Sequence, residues 1–203
     1  MAAAGKICTG FSKPYVATYN AGSGTPTYSG VTILARGVDV SIEPETGESN
    51  IFHADNVDAE NAPGTFTGGT VTLNVDGLLA EAEKLIMGLS EPSSVQVNEE
   101  PVSVYGYGDK QKIPYLGLGF VVRYMSGGSV LYTPYVLTKV QFQTKGLEAA
   151  TQEEEIEWQP QELTATIMRD DSADHMWIKF AEDQESEEAA EAVLKVMLGG
   201  GDA

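Results

Sequence analysis

The chain has 203 residues and a formal net charge of −18, from 30 acidic and 12 basic side chains. A field of this sign repels nucleic-acid phosphates and acidic lipids, which excludes a DNA-binding protein of the ordinary basic kind. The single cysteine, Cys8, excludes an internal disulfide framework and a multi-cysteine metal site.

The first segments of the chain alternate apolar and polar residues, as β-strands with two different faces do. Residues 1–12 contain no apolar stretch of signal-peptide or membrane-spanning length, so we expect an N-terminal arm on a protein folded in a cytoplasm, without a membrane anchor. Strands are predicted over 13–19, 31–36 and 38–43. In the last of these strands, Asp39 and Glu43 lie on the face opposite the apolar one.

A long acidic connection follows at 44–65, in which only Ile51 and Phe52 suggest a short strand. Connections of this length inside a compact domain are usually functional or disordered, so we expect a loop that reaches another molecule. Its carboxylates Asp55, Asp58 and Glu60 are weak candidates for a calcium site, because calcium prefers hard oxygen ligands but their spacing does not match the helix–loop–helix pattern. A solvated acidic loop without a metal is the alternative.

The middle of the chain begins with the most regular strand pattern. Residues 66–76 alternate strictly, with Thr72 and Asp76 on the polar face and valine and leucine on the other. Apolar residues at helical spacing then predict a short amphipathic helix over 78–89, with Gly88 as its C-terminal cap.

Residues 90–112 are expected to be irregular. They precede a predicted hairpin over 113–137, which is closed by the Ser-Gly-Gly turn at 126–128. Gly117 and Gly119 lie inside its first strand, where glycine indicates a bulge or a close approach of another segment to the backbone.

The last quarter of the chain is the most acidic. A long strand region is predicted over 153–170, where Glu155 is one of three alternating glutamates and Pro160 marks a kink or an edge. A final strand over 175–180 precedes an acidic C-terminal helix over 184–198. The apolar face of that helix is expected to comprise Ala189, Ala192, Val193, Val196 and Met197.

These elements predict one domain over 1–203 that is mainly β, a sandwich or barrel with two short helices, one mid-chain and one C-terminal. Catalytic chemistry is not indicated, because only His53 and His175 could serve as histidine bases and the chain has no Gly-x-Ser-x-Gly motif. No glycine-rich loop precedes a helix in the manner of a phosphate site. We therefore expect neither an enzyme nor a cofactor.

In their order and spacing, these segments resemble the major tail proteins of long-tailed, non-contractile bacteriophages of Gram-positive hosts. The resemblance runs through GFSKPYVATY, VTILARGVDVSIEPE, HADNVDAE, FTGGTVTLNVDGL, IPYLGLGFVVRYMSGG and EIEWQPQELTATIMRDD, and it is weakest over 90–112. It implies a tail-tube β-sandwich whose strands join across subunits. Such subunits typically form rings of six, and the rings stack into a tube.

The resemblance implies a structural virion protein, made in the host cytoplasm and assembled with copies of itself around the tape measure protein. Tail terminator and tail-tip or initiator proteins are the implied partners at the ends, and DNA passes through without specific binding. A polar strand face would then line the lumen, since lysines there would hold the phosphates. The side chains expected to face the lumen are Asp39, Glu43, Thr72, Asp76 and Glu155.

The same resemblance implies that the loop 44–65 bridges to the next subunit or ring and orders on assembly. The loop side chains expected at that contact are Ile51, Phe52, His53, Asp55, Asp58 and Glu60. Because contact between acidic surfaces opposes stacking, basic contacts are expected from Lys110, Lys112 and Lys139.

Two alternatives stay open at this point. The first is another virion β-sandwich, such as a tail terminator or a capsid decoration protein. The second is an acidic calcium- or carbohydrate-binding β module, which would be a stable monomer whose native state is stabilised by its ligand.

Overall fold

The computed structural model describes residues 5–22, 24–109, 111–147, 149–151 and 158–201. Its elements in chain order are β1 (Ile7–Asn20), β2 (Thr27–Ile33), β3 (Gly37–Thr46), β4 (Asn50–Ala54), β5 (Val57–Ala62), β6 (Phe66–Val75), α1 (Ala80–Met87), β7 (Ser93–Val97), β8 (Glu100–Val104), β9 (Leu116–Ser126), β10 (Ser129–Phe142), β11 (Gln161–Met168), β12 (Ile178–Phe180) and α2 (Glu187–Met197). This confirms the predicted fold class, a mainly β protein with one mid-chain and one C-terminal helix.

One large antiparallel sheet organises the chain, in the strand order β2-β1-β9-β10-β11-β6-β3. Strand β10 connects the β2-β1-β9 part of the sheet to the β11-β6-β3 part. Its residues 135–137 pair with β12, and its residues 139–142 pair with β11. On its other side β10 follows β9 through the turn at Gly127 and Gly128, whose φ angles of 56° and 88° confirm the predicted glycine turn.

The apolar faces of the two halves of the sheet meet in one core, which α1 closes with Ile86 and Met87. The buried strand residues include Val71, Leu73 and Val75 of β6, Leu163, Ala165 and Ile167 of β11, and Leu116, Leu118 and Phe120 of β9. Full burial of each large side chain contributes about 1.5–3 kcal/mol, so the strict alternation of β6 is enforced by this core.

Gly88 ends α1, as predicted. Its φ of 59° is left-handed, and a β-carbon there would lie 1.8 Å from the Lys112 carbonyl oxygen. Glycine is therefore required both by the backbone conformation and by the segment before β9 that passes over it.

Helix α2 covers the outer face of β1, β9 and β10, where Ala190 and Leu194 are buried against Tyr15 and Val121. Gly119 lets the helix approach β9, which confirms the predicted close contact at this glycine. The predicted apolar face of the helix is only partly correct. Met197 packs against this cluster and Val193 is half-buried, whereas Ala189, Ala192 and Val196 are exposed, because Ala190, Leu194 and Leu198 form the buried stripe.

A charged cluster also joins α2 to β1. The Glu191 carboxylate lies 2.8 Å from Lys13 Nζ and 2.7 Å from Lys195 Nζ, and the Tyr15 hydroxyl donates to it at 2.6 Å. These partners, Lys13 foremost, lower the pKa of Glu191 to about 2. Ser186 caps the helix by accepting a hydrogen bond from the Ala189 amide.

Two segments have more structure than their sequence predicted. Residues 7–12 belong to β1 and pair with β9, so the expected N-terminal arm is wrong for these residues. The expected loop over 44–65 consists of the end of β3 and the β4–β5 hairpin, in which Asp55 and Asn56 form the turn at φ 50° and 63°. Asparagine and aspartate tolerate this left-handed conformation better than other residues with side chains.

The remaining differences lie in the second half of the chain. The segment expected to be irregular, 90–112, contains the β7–β8 hairpin. Of the strand region predicted over 153–170 with a kink or an edge at Pro160, β11 covers the part that follows the proline, whereas 152–157, with Glu155, lie outside the described residues. Strand β12 covers only the last three residues of the strand predicted over 175–180.

Candidate functional site

The outer face of β3, β6 and β11 carries three rows of polar side chains that run across the strands. Because the three strands pair in continuous register, side chains that alternate along each strand become neighbours across the sheet. The rows are Asp39–Asn74–Glu162, Ser41–Thr72–Thr164 and Glu43–Thr70–Thr166. We call these nine residues the polar face.

The polar face combines hydroxyl groups in its middle with carboxylates toward its ends. Asn74 Nδ2 donates to Asp39 Oδ1 at 2.9 Å, which orients the first row. The carboxylates of Asp39, Glu43 and Glu162 give the face a formal charge of −3, and none of its nine members is basic.

The basic side chain that follows on the neighbouring strand β10 is Lys139, and it is already paired. Its ammonium group lies 2.8 Å from Asp171 Oδ2 and within 5.0 Å of the ring centres of Tyr19 and Tyr115. The lysine lowers the pKa of the Asp171 carboxyl group. Lys139 therefore stabilises the fold, and its ammonium group is not free to contact the acidic loop of a neighbouring subunit.

The structure groups three of the side chains expected in the lumen and separates a fourth. Asp39, Glu43 and Thr72 share the polar face. Asp76 follows the end of β6, where its carboxylate accepts from the Arg36 amide at 2.9 Å and from Arg36 Nε at 2.5 Å. These bonds lower the pKa of Asp76, so its charge is balanced locally in the turn.

Sequence reasoning did not single out Glu162, which completes the first row beside Asn74. The available signal was its alternation with Leu163, but only the pairing of β11 with β6 places it near Asp39. That Asp39, Glu43 and Thr72 face a lumen stays a prediction, as does the role of Glu155.

Neither of the described helices packs on the polar face. Under α2, the outer residues of β1, β9 and β10 are apolar and buried, among them Ala17, Val121 and Val136. The corresponding positions of β3, β6 and β11 are polar and accessible to different degrees. The outer surface of this continuous sheet is therefore apolar where α2 covers it and polar beyond the edge of the helix.

The β4–β5 hairpin forms its own two-stranded sheet and presents exposed apolar side chains. Phe52 is 64% exposed and Val57 is 62% exposed, whereas Ile51 is partly covered. His53 Nδ1 lies 2.8 Å from Asp58 Oδ1 across the hairpin. Exposed aromatic side chains on a projecting element are typical of a contact surface.

The hairpin does not assemble the weak calcium candidates into a site. Asp55 lies in the turn, Asp58 pairs with His53, and Glu60 is opposite Phe52. Within the part of the chain that the structure describes, no three histidine, cysteine or acidic side chains form a group that could hold a metal ion. Of the basic contacts, Lys112 is exposed and Lys110 lies outside the described residues.

The two strands at the ends of the sheet, β2 and β3, each have a hydrogen-bonded neighbour on one side only in the described chain. Free strand edges present unpaired amide and carbonyl groups to solvent, and natural proteins cover them or use them to bind another chain. The acidic residues of β3 keep such an edge from pairing without a specific partner.

No known protein family matches this chain, and a comparison with curated proteins finds no match. None of the described helices is long and apolar enough to cross a membrane.

Proposed function

We propose that this chain is a major tail tube subunit, a structural virion protein whose copies form stacked rings, with six subunits as the expected ring size. The observation that carries the proposal is the polar face, three rows of hydroxyl, amide and carboxylate groups without a basic member. The order of sequence segments that resembles phage tail proteins supports the same assignment.

The chemistry of the polar face suits a surface along which DNA slides. Neutralisation of phosphates by lysine or arginine releases counterions and holds DNA strongly at low salt. Carboxylates such as Asp39 and Glu162 repel the phosphates, and the hydroxyl groups of Thr72 and Thr164 keep water bound between them. In this proposal the same surface surrounds the tape measure protein before DNA release.

Assembly in this proposal uses elements that project from the sheet or end it. The β4–β5 hairpin contacts the next subunit or ring through Phe52 and its neighbours, and the free edges of β2 and β3 extend the sheet between subunits. Terminator and initiator proteins would cap the two ends of the tube.

The first test is negative-stain electron microscopy of the purified protein, concentrated at low and at high salt. Salt matters because a charge of −18 keeps separate subunits apart until it is screened. Hollow tubes or stacked rings are the expected result. Monomers under every condition would contradict self-assembly, and a rise in melting temperature with calcium would then support a binding module.

A further inference from the structure

The β7–β8 hairpin has an apolar face that its own chain leaves exposed. Its paired strands place four valines on one side, and these are exposed by 44–50%. The four are Val95, Val97, Val102 and Val104. A two-stranded hairpin with one uncovered apolar face is marginally stable alone, so we expect another surface to pack on this face.

The base of this hairpin is held firmly by α1, so the valine face projects in a defined direction. Lys84 Nζ lies 2.8 Å from Glu91 before the hairpin, and the Tyr107 hydroxyl donates to Glu83 at 2.6 Å after it. Gln111 Nε2 also donates to the Met87 carbonyl at 2.8 Å. A hairpin that is fixed at its base and has one solvent-exposed apolar face is suited to docking on another molecule.

A groove of matching character lies between β1 and β3. It has a volume of about 590 Å³. Its apolar lining includes Phe11, Val38, Val40, Phe120, Val122 and Ile178. Within the described residues, both strands that border the groove have backbone edges there without a paired strand. Strand β2 pairs with β1 only from Tyr15 onward, and the sole hydrogen-bonded neighbour of β3 in the described chain is β6.

The charges at the two surfaces are complementary. The segment 91–109, which contains the hairpin, has four acidic residues and no basic one, and Glu99 and Glu100 lie at its tip. At one end of the groove, Lys6 Nζ lies 4.4 Å from the ring centre of Tyr124, and an Arg123 guanidinium nitrogen lies 3.1 Å from Thr9 Oγ1.

Of these two cations, Lys6 already pairs with Asp183 at 2.8 Å, whereas Arg123 has no ion-pair partner among the described side chains. The acidic lining residue Asp39 lies on β3, across the groove from β1. Among the described residues that line the groove none is basic, so the acidic hairpin tip is expected to contact Arg123, which lies at the rim beside Thr9, and this pairing gives the contact a direction.

We propose that the valine face of the β7–β8 hairpin docks in the β1–β3 groove of a second copy of this chain. The proposal rests on the proposed self-assembly and names one contact that produces it. Since the hairpin and the groove are different surfaces, the contact is head-to-tail, and its repetition closes a ring or extends a filament. Extended segments that add to open strand edges gain main-chain hydrogen bonds there.

The sole cysteine of the chain provides the test, because Cys8 is exposed and lines the groove. A single cysteine introduced on the valine face can form a disulfide with Cys8 of a neighbouring copy. We would oxidise Val95→Cys, Val97→Cys, Val102→Cys and Val104→Cys separately under assembly conditions and analyse them by non-reducing electrophoresis. Val97 lies next to the acidic tip and is therefore expected nearest to Cys8. Ser103→Cys, on the opposite face of the same hairpin, is the matched control.

The expected result is a ladder of dimers, trimers and larger species from at least one valine variant, formed several-fold faster than with Ser103→Cys. The ladder must disappear when Cys8→Ser is added to that variant, and the wild type measures any direct Cys8–Cys8 linkage. A ladder supports the docking. Circular dichroism of each variant verifies that the fold is retained.

Two negative outcomes are distinguishable. Tubes or rings in the microscope without a ladder from any of the four valine positions would overturn this contact and leave the proposed function standing. Absence of both assemblies and cross-links would overturn both proposals. Cross-linking that stops at dimers would overturn the head-to-tail arrangement.

Discussion

Gly119 of β9 lies directly beneath Leu194 of α2, so that a β-carbon at position 119 would be 2.6 Å from Leu194 Cδ1. Leu198 Cδ1, four residues further along the chain, would be 2.9 Å away. Both leucines are fully buried, so neither can move without disturbing the core beneath the helix. The position of α2 on the sheet thus depends on a missing side chain in β9.

Substitution of Gly119 by alanine is therefore expected to destabilise the protein by about 1–3 kcal/mol, the usual cost of overpacking a core. Urea unfolding monitored by circular dichroism measures it. Gly146→Ala is the control, because a β-carbon there meets nothing within 4 Å. If Gly119→Ala unfolded at the wild-type urea concentration, the close packing of α2 on β9 would be wrong.

The ion pairs of Glu191 predict a specific dependence of stability on pH. Its pKa falls from 4.5 to about 2 in the folded protein, so its stabilising contribution is complete above about pH 4.5 and is lost as the pH falls toward 2. Because solvent partly screens the group, we expect Glu191→Gln to cost about 1–2 kcal/mol at pH 7.

The measurement is the difference in free energy of unfolding between wild type and variant at pH 7, 5 and 3. This difference should shrink at pH 3, because the contribution of Glu191 falls between about pH 4.5 and pH 2. Glu188→Gln, an exposed position on the same helix, should show no such trend. A difference that stays constant with pH would contradict the assigned role of Lys13 and Lys195.

A lysine in the middle row of the polar face should make assembled tubes retain DNA. Thr72→Lys introduces a cation beside Thr164 and Ser41, and DNA held there should be released as salt increases. Co-sedimentation of tubes with duplex DNA over a salt series measures retention, with Thr72→Gln as the uncharged control. Equal retention by both variants would argue against a lumenal position.

The two aspartates expected in the lumen should behave differently. Asp39→Lys places a cation on the polar face and should act like Thr72→Lys. Asp76→Lys removes the partner of Arg36 and is expected to reduce stability without increasing DNA retention. DNA retention by the Asp76 variant equal to that of the Asp39 variant would show that the turn also faces the DNA.

Phe52→Ser should weaken assembly of the subunits without affecting their fold. Because Phe52 is 64% exposed, its removal should change the free energy of unfolding by less than about 0.5 kcal/mol. If it anchors a subunit contact, the critical concentration for assembly should rise about tenfold or more. Light scattering against protein concentration gives this value. Leu147→Ser, at another exposed position, should assemble normally.

Much of the fold was predictable from local patterns, because the physics behind them is local. The alternation in β6, the glycine turn after β9 and the glycine cap of α1 depend on side-chain periodicity and backbone freedom alone. The hairpin at 50–62 was missed, apart from a short strand near Ile51 and Phe52, because its strands are short and exposed and no core imposes an alternation on them. The hairpin at 93–104 was missed although its valines alternate, because each of its strands has only five residues and lies exposed outside the core.

The inward face of α2 was misplaced for a related reason. Alanine and valine occur all around this helix, so the hydrophobic pattern alone allows more than one stripe. The contacts of Leu194 with Gly119, and of Glu191 with Lys13, select the observed rotation. Neither partner is near the helix in sequence.

Composition and side-chain alternation establish that this chain is acidic, mainly β, and built from strands with one apolar and one polar face. Which polar residues share a surface follows from the pairing of the strands in three dimensions. Cross-strand register aligns Asp39 with Asn74 and Glu162, and the path of the chain after β6 pairs Asp76 with Arg36 instead. Composition and periodicity act along the chain, whereas these neighbours are set by hydrogen bonds between strands far apart in sequence.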